Sequence, residues 1–191
     1  MDDSLGMSGS LRGAKVLPDG QVEHLGLVGD IAKFSDDAIA GAGEAFHTAL
    51  HALHLDGDGN VKGSHHLGSG LVTTVGVNLL AADWTNATGT LKLANFADSG
   101  TGATAAAITD TALLTATGNA RVAGTQSNPA AGQYRTIATL PYTAGAAITE
   151  YGLFTATTAG TMWDHKVFAA INVLAGDSIQ FTYTLICSAG G

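Results

Sequence analysis

The sequence predicts a mainly β protein: an antiparallel β-sandwich, jelly-roll-like or immunoglobulin-like, preceded by an extended N-terminal arm and one α-helix. Three observations predict it. From about Leu67 onward, short runs rich in Val, Ile, Thr, Tyr and Phe alternate with Asn, Gly, Asp and Ala-Gly punctuation. The last run, SIQFTYTLIC, places Ile179, Phe181, Tyr183, Leu185 and Cys187 on one side and Gln180, Thr182 and Thr184 on the other, the period of a strand with one face in a core. Finally, 46% of residues are hydrophobic, only 13% are charged and 26 are glycine, a texture that suits short strands and tight turns better than long solvated helices.

Taken in order, residues 1–34 show turn chemistry at Pro18-Asp19-Gly20 and scattered apolar residues without a sustained period. They predict an arm with one short strand or hairpin around that turn. Ser35-Asp36-Asp37 reads as a helix start, a capping hydroxyl followed by two carboxylates where the helix dipole favours them. Ile39, Gly43, Phe46, Leu50 and Leu53 recur at steps of four and three, so the helix is predicted to run to about His54 and to end at Asp56-Gly57-Asp58-Gly59-Asn60. The predicted strands are LVTTVGVNLL, TLKLANF, ARVAGTQ, YRTIATLPYT, AITEYGLF, TMWDHKVFAAI and SIQFTYTLIC. The expected organisation is thus an arm and helix over residues 1–66, serving attachment, and a sandwich domain over 67–191.

Charge narrows the function classes. Of the 16 acidic residues, ten lie at or before Asp58, against Arg12, Lys15 and Lys33; the remainder of the chain is nearly neutral. No basic stripe is available for phosphates, so nucleic acid is not expected as a partner. No run approaches the roughly 20 apolar residues of a membrane span, and the N-terminus lacks the basic start and apolar core of a secretion signal. Cys187 is the single cysteine, which rules out a disulfide within one chain and a cysteine-based zinc site.

Several constellations invite chemistry. His47, His51 and His54, with Glu44 before them, would line one stripe of the predicted helix and present two or three imidazoles to a metal; the residues between them are Thr, Ala and Leu, without the catalytic Glu of helical zinc sites. Asp56, Asp58 and Asn60 match the first three ligand positions of a calcium loop, but Val61 stands where the loop needs Gly and Leu67 where it needs a bidentate Glu. A hydrogen-bonded turn and a partly exposed histidine stripe account for both, so neither a metal nor a cofactor is expected. Gly100-Thr101-Gly102-Ala103-Thr104-Ala105 fits a dinucleotide fingerprint without the helix or the later acid that gives it meaning. No G-x-S-x-G elbow is present, His165 has no evident triad partners, and Glu150 and Asp164 read as strand carboxylates paired across the sheet with Lys166, Arg121 or Arg135. Trp84 and Trp163 are expected in a core or interface rather than stacked on a sugar. No enzymatic activity is expected.

The stretch from about Lys92 to Ser188 resembles a β-sandwich module of tailed-bacteriophage structural proteins. The resemblance rests on Ile148-Thr149-Glu150-Tyr151-Gly152-Leu153-Phe154, a Gly-Thr turn, the strand ending Val167-Phe168, Ala170-Ile171-Asn172, and Ala175-Gly176-Asp177-Ser178 leading into the final strand. It covers about half of the chain and does not extend into residues 1–66. It implies a place in the virion, made in the host cytoplasm, and no catalytic residues. The expectation is a capsid cement or decoration protein, attached to the major capsid protein or another virion protein through its N-terminal region and clustered, as a homotrimer, through its sandwich. The alternatives are a tail fibre, baseplate or collar component, or a carbohydrate-binding receptor-recognition module.

Overall fold

A computed structural model describes residues 13–16, 22–25, 46–83 and 94–187. The chain divides into two compact units, Met1–Glu44 and Ala45–Gly191. In the first, β1 (Gly13–Val16) and β2 (Val22–Leu25) pair antiparallel, Val16 opposite Val22 and Gly13 opposite Leu25. This is the hairpin that Pro18-Asp19-Gly20 predicts.

The second unit is a sandwich of two five-stranded antiparallel sheets. Its strands are β3 (Phe46–Leu55), β4 (Val61–Gly68), β5 (Leu71–Val72), β6 (Phe96–Gly100), β7 (Val122–Ala123), β8 (Thr125–Ser127), β9 (Gln133–Pro141), β10 (Ala146–Phe154), β11 (Met162–Val173) and β12 (Ser178–Cys187). The first sheet has the order β4-β3-β12-β9-β8 and the second β5-β11-β10-β6-β7; the chain crosses between them at β4–β5, β7–β8, β9–β10 and β11–β12. One apolar cluster fills the gap, with Leu50, Ala138, Leu140, Ile179, Phe181 and Tyr183 from the first sheet meeting Ala97, Ile148, Tyr151, Leu153, Trp163 and Ile171 from the second. The rings of Tyr151 and Phe181 lie 4.8 Å apart across it. The alternation read in the final run holds from Ile179 to Tyr183, with Ile179, Phe181 and Tyr183 buried and Gln180 and Thr182 half-buried on the outer face; beyond Tyr183 it breaks down, since Thr184 is buried, Leu185 half-buried and Cys187 exposed.

Two sequence expectations are corrected. The helix predicted to run to His54 is, from Phe46, strand β3; residues 35–45 lie outside the described residues. The steps of four in Phe46 and Leu50 fit either period, and only the alternation of buried Thr48, Leu50, Ala52 and His54 with half-buried His47, Ala49, His51 and Leu53 separates them. The decisive force is non-local: all ten residues of β3 find Cα partners on β12, from Leu55 opposite Ser178 to Phe46 opposite Cys187. The sandwich therefore begins near Ala45 rather than Leu67, and β3 and β4, placed in the N-terminal region by sequence, are sheet members.

Conversely, the predicted strand LVTTVGVNLL keeps only Leu71–Val72 as strand and turns into helix α1 (Thr74–Asp83). Thr73 is its N-cap: the hydroxyl accepts the Gly76 N–H at 3.1 Å and itself donates to the Met162 carbonyl at 2.6 Å. A Cβ on Gly76 would lie 2.8 Å from the Trp163 carbonyl oxygen, so glycine there lets the helix sit close against β11.

Candidate functional site

Strand geometry divides the three histidines. His54 points inward, where its Nε2 lies 2.8 Å from Asp177 Oδ2; the same oxygen accepts Lys62 Nζ at 2.7 Å and the Leu174 N–H at 2.9 Å. The hydrogen bond from Lys62, helped by the Leu174 N–H and His54, outweighs burial and holds the Asp177 carboxyl below the usual carboxylate range. His47 and His51 are on the opposite face, and His51 stands beside His66 of β4, ring centroids 4.7 Å apart. Burial, with His66 and Arg135 nearby, lowers the His51 pKa. A helix would have aligned the three imidazoles; a strand sends His54 into the core and the other two out.

The acidic turn closes on itself. Asp56 Oδ1 accepts the N–H groups of Asp58 and Asn60 at 3.0 and 2.8 Å, and Oδ2 accepts the Asn60 side-chain amide at 3.1 Å. These bonds, that from the Asn60 amide first, lower the Asp56 pKa. Gly59 takes φ +84°, which allows the tight return into β4. Among the described residues no group of three or more His, Cys, Asp or Glu side chains is placed to hold a metal. EDTA is accordingly expected to leave the melting temperature unchanged; a fall of several degrees, reversed by calcium or zinc, would contradict this geometry.

The densest polar chemistry lies on the outer side of the second sheet, beneath the loop 101–121. Glu150 on β10 and His165 on β11 are both 0% exposed. Glu150 Oε1 accepts the N–H groups of Gly102 at 3.0 Å and Thr115 at 2.7 Å; Oε2 accepts that of Leu114 at 2.9 Å and lies 3.1 Å from His165 Nε2. His165 Nδ1 is 2.7 Å from Asp110 Oδ2. Burial opposes ionisation of Glu150, but the Thr115, Leu114 and Gly102 N–H groups and His165 outweigh it and lower its pKa. Asp110 behaves likewise, burial being outweighed by the Ala107 N–H and His165.

The cross-strand pairing predicted for Glu150 is therefore replaced by bonds to loop backbone and to His165, whose partners the sequence did not reveal. The array contains a relay of carboxylate, imidazole and carboxylate, and its bonds fasten a long, small-residue loop to the sheet. Arg121 fixes the loop's far end: its guanidinium stacks 3.4 Å over the Phe154 ring, reaches Asp98 Oδ2 at 3.2 Å and donates to the Ala156 carbonyl at 3.1 Å. Gly100 to Ala105, the dinucleotide-like stretch, runs from the end of β6 into this loop, and no helix follows.

Asp164 faces the other way, into the core, and among the described residues no cation is bonded to it. Its Oδ2 accepts the Tyr183 hydroxyl at 3.4 Å, Oδ1 has no hydrogen-bond partner, and a Cβ on Gly70 would lie 1.9 Å from that oxygen. Burial pushes its carboxyl up to about 8, against smaller pulls from Tyr183 and Lys166. Trp163 is core, its Nε1 donating to Tyr183 at 2.8 Å; Trp84 lies outside the described residues. A depression of about 440 Å³ opens between Gly70-Leu71, the loop alanines and His165 to Val167.

The outer side of the first sheet has a different character. Paired rows cross it: His66, His51, Thr182, Ile137 and Thr125 in one, Ala49, Thr184, Arg135 and Ser127 in the next, then Ser64, Leu53, Gln180 and Thr139. Arg135 Nε donates to Thr184 Oγ1 at 3.3 Å. Among the described residues this is a broad, mixed apolar and hydroxylated surface that includes the imidazoles of His51 and His66 and the Arg135 guanidinium. Compared with known proteins, the chain matches no family model, no curated protein and no solved structure.

Proposed function

We propose that the chain is a non-enzymatic structural component of a tailed-bacteriophage particle, a cement or decoration protein of the capsid. The observation that carries the reading is the run of segments from Ile148 to Ser178 that resembles phage structural modules: they form the contiguous strands β10 and β11 and the entry to β12. Two features support it. The buried acids and His165 are engaged in tying a loop to a sheet, a use that favours a robust shell component. The first sheet offers a broad face, low in charge, of the kind that copies of one chain or a shell subunit cover.

In this reading the N-terminal unit attaches the protein to the shell and the sandwich clusters it, as a homotrimer. Antibody labelling of purified particles tests it. Gold over the heads is the expected result; gold confined to tails would assign the chain to a fibre, baseplate or collar instead.

A further inference from the structure

Ser69 and Gly70 carry the chain from β4 to β5, and Gly70 lies against the buried carboxyl of Asp164. A side chain at Gly70 would collide with Asp164 Oδ1, the oxygen that has no hydrogen-bond partner among the described residues. On one side of this corner stands Gly68, at φ +77°, a backbone free to act as a hinge. On the other, Thr73 is fixed to β11, its N–H donating to the Trp163 carbonyl at 3.0 Å and its hydroxyl to that of Met162. Between these ends the hold is slight. Thr48 Oγ1 accepts the Gly70 N–H at 2.8 Å and donates to the Gly70 carbonyl at 3.3 Å, and β5 pairs with β11 only at Val72 opposite Asp164 and Leu71 opposite His165. The depression of about 440 Å³ borders Gly70 and Leu71, with Lys166 in its lining.

We propose that the corner formed by residues 68–72 is a latch, held shut over the uncharged Asp164 carboxyl and opened when that carboxyl ionises. The groups packed around Asp164 decide the direction of escape. Tyr183 of β12 donates to Oδ2, and Tyr151 of β10 and Tyr183 are themselves disfavoured from ionising by Asp164; neither supplies a positive charge. Lys166 on β11 is the cation that acts on the carboxyl, and it stands in the lining of the depression. Thr48 of β3 and Leu71 and Val72 of β5 do not titrate. A charge formed on Asp164 is therefore relieved on the side of Gly70, where the cover is backbone alone and opening brings water and Lys166 within reach. The shut form keeps the proton and the open form releases it, so rising pH favours opening from the ordinary carboxylate range until the shut form itself ionises at about 8. The latch belongs to the sandwich and does not depend on the particle role proposed above.

Amide hydrogen exchange of the full chain tests it, with protection corrected for the intrinsic pH dependence of exchange and compared at about pH 5 and about pH 7, both inside that window. Protection of the Gly70 N–H should fall by about a hundredfold between them, tenfold per pH unit. It should also stay below that of the Phe181 N–H in β12 and be unmoved by low denaturant, the mark of an opening that exposes little surface. In Asp164→Asn the Gly70 protection should be the same at both pH values. Should that variant fold poorly, Lys166→Gln, which removes a pull on the carboxyl, should carry the fall in protection to higher pH than in the parent. Protection at Gly70 that is equal at both pH values, that follows Phe181 under denaturant, or that keeps its pH dependence in Asp164→Asn overturns the proposal. So does a Lys166→Gln profile that coincides with the parent's.

Discussion

Phe181→Ala is expected to destabilise the sandwich by about 3 to 5 kcal/mol, the usual cost of truncating a buried aromatic. Phe181 is 1% exposed, lies against the Tyr151 ring from the facing sheet and has Phe168 at 6.3 Å, so the vacated volume is bounded by rigid groups that cannot readily collapse into it. Against a typical domain stability of roughly 5 to 15 kcal/mol, the loss would leave much of the protein unfolded at modest denaturant. Thr182→Ala, one residue on and on the outer face, should change stability by no more than about 0.5 kcal/mol. Chemical denaturation of the two variants measures both; a larger loss for Thr182→Ala than for Phe181→Ala would reverse the assignment of faces on β12.

Asp164→Asn should have an effect of similar size and opposite sign. A folded-state carboxyl raised to about 8 from an ordinary 3.8 retains a proton that the unfolded chain releases. Its contribution to stability is complete below about pH 4 and is lost progressively up to about pH 8, beyond which the penalty is constant. Asparagine remains neutral and escapes it. At about 1.4 kcal/mol per pH unit, the variant should be more stable than the parent by on the order of 4 kcal/mol at neutral pH, and nearly equal to it at pH 4. The difference between the two stability curves isolates this residue from Asp110, Glu150 and Asp177, whose lowered pKa values weaken the fold only as pH falls through the acid range. A flat difference curve would mean that Asp164 is ionised without penalty, and that the burial argument fails.

Legibility followed the reach of the forces involved. β12 was readable because its pairing on both sides leaves a strict two-residue alternation undisturbed from Ile179 to Tyr183. β3 was not, because FHTALHALHL carries small and imidazole side chains on both faces and its hydrophobic spacing fits a helix over the few residues that matter. The stretch from Thr74 was misread for the converse reason: TVGVNLL has β-branched residues, and only the cap at Thr73 and the close approach allowed by Gly76 make it helical.

The polar array was the least legible. Its strongest bonds run from Glu150 to backbone N–H groups of Gly102, Leu114 and Thr115, which have no signature in side-chain type, and from His165 to Asp110 across 55 positions. The metal-like spacing of His47, His51 and His54 was legible and misleading, since it has meaning only on a helix. Trp163 was read correctly as core because a tryptophan among strand residues has a large apolar area to bury and one N–H to satisfy, and Tyr183 satisfies it.

The count of copies per particle tests the structural role most directly. Quantitative mass spectrometry of purified virions, referenced to the major capsid protein, should find this chain in a fixed ratio to the shell subunit, as a symmetric surface component requires. Its absence from the particle, or a handful of copies consistent with a single tail, would contradict the assignment to the capsid.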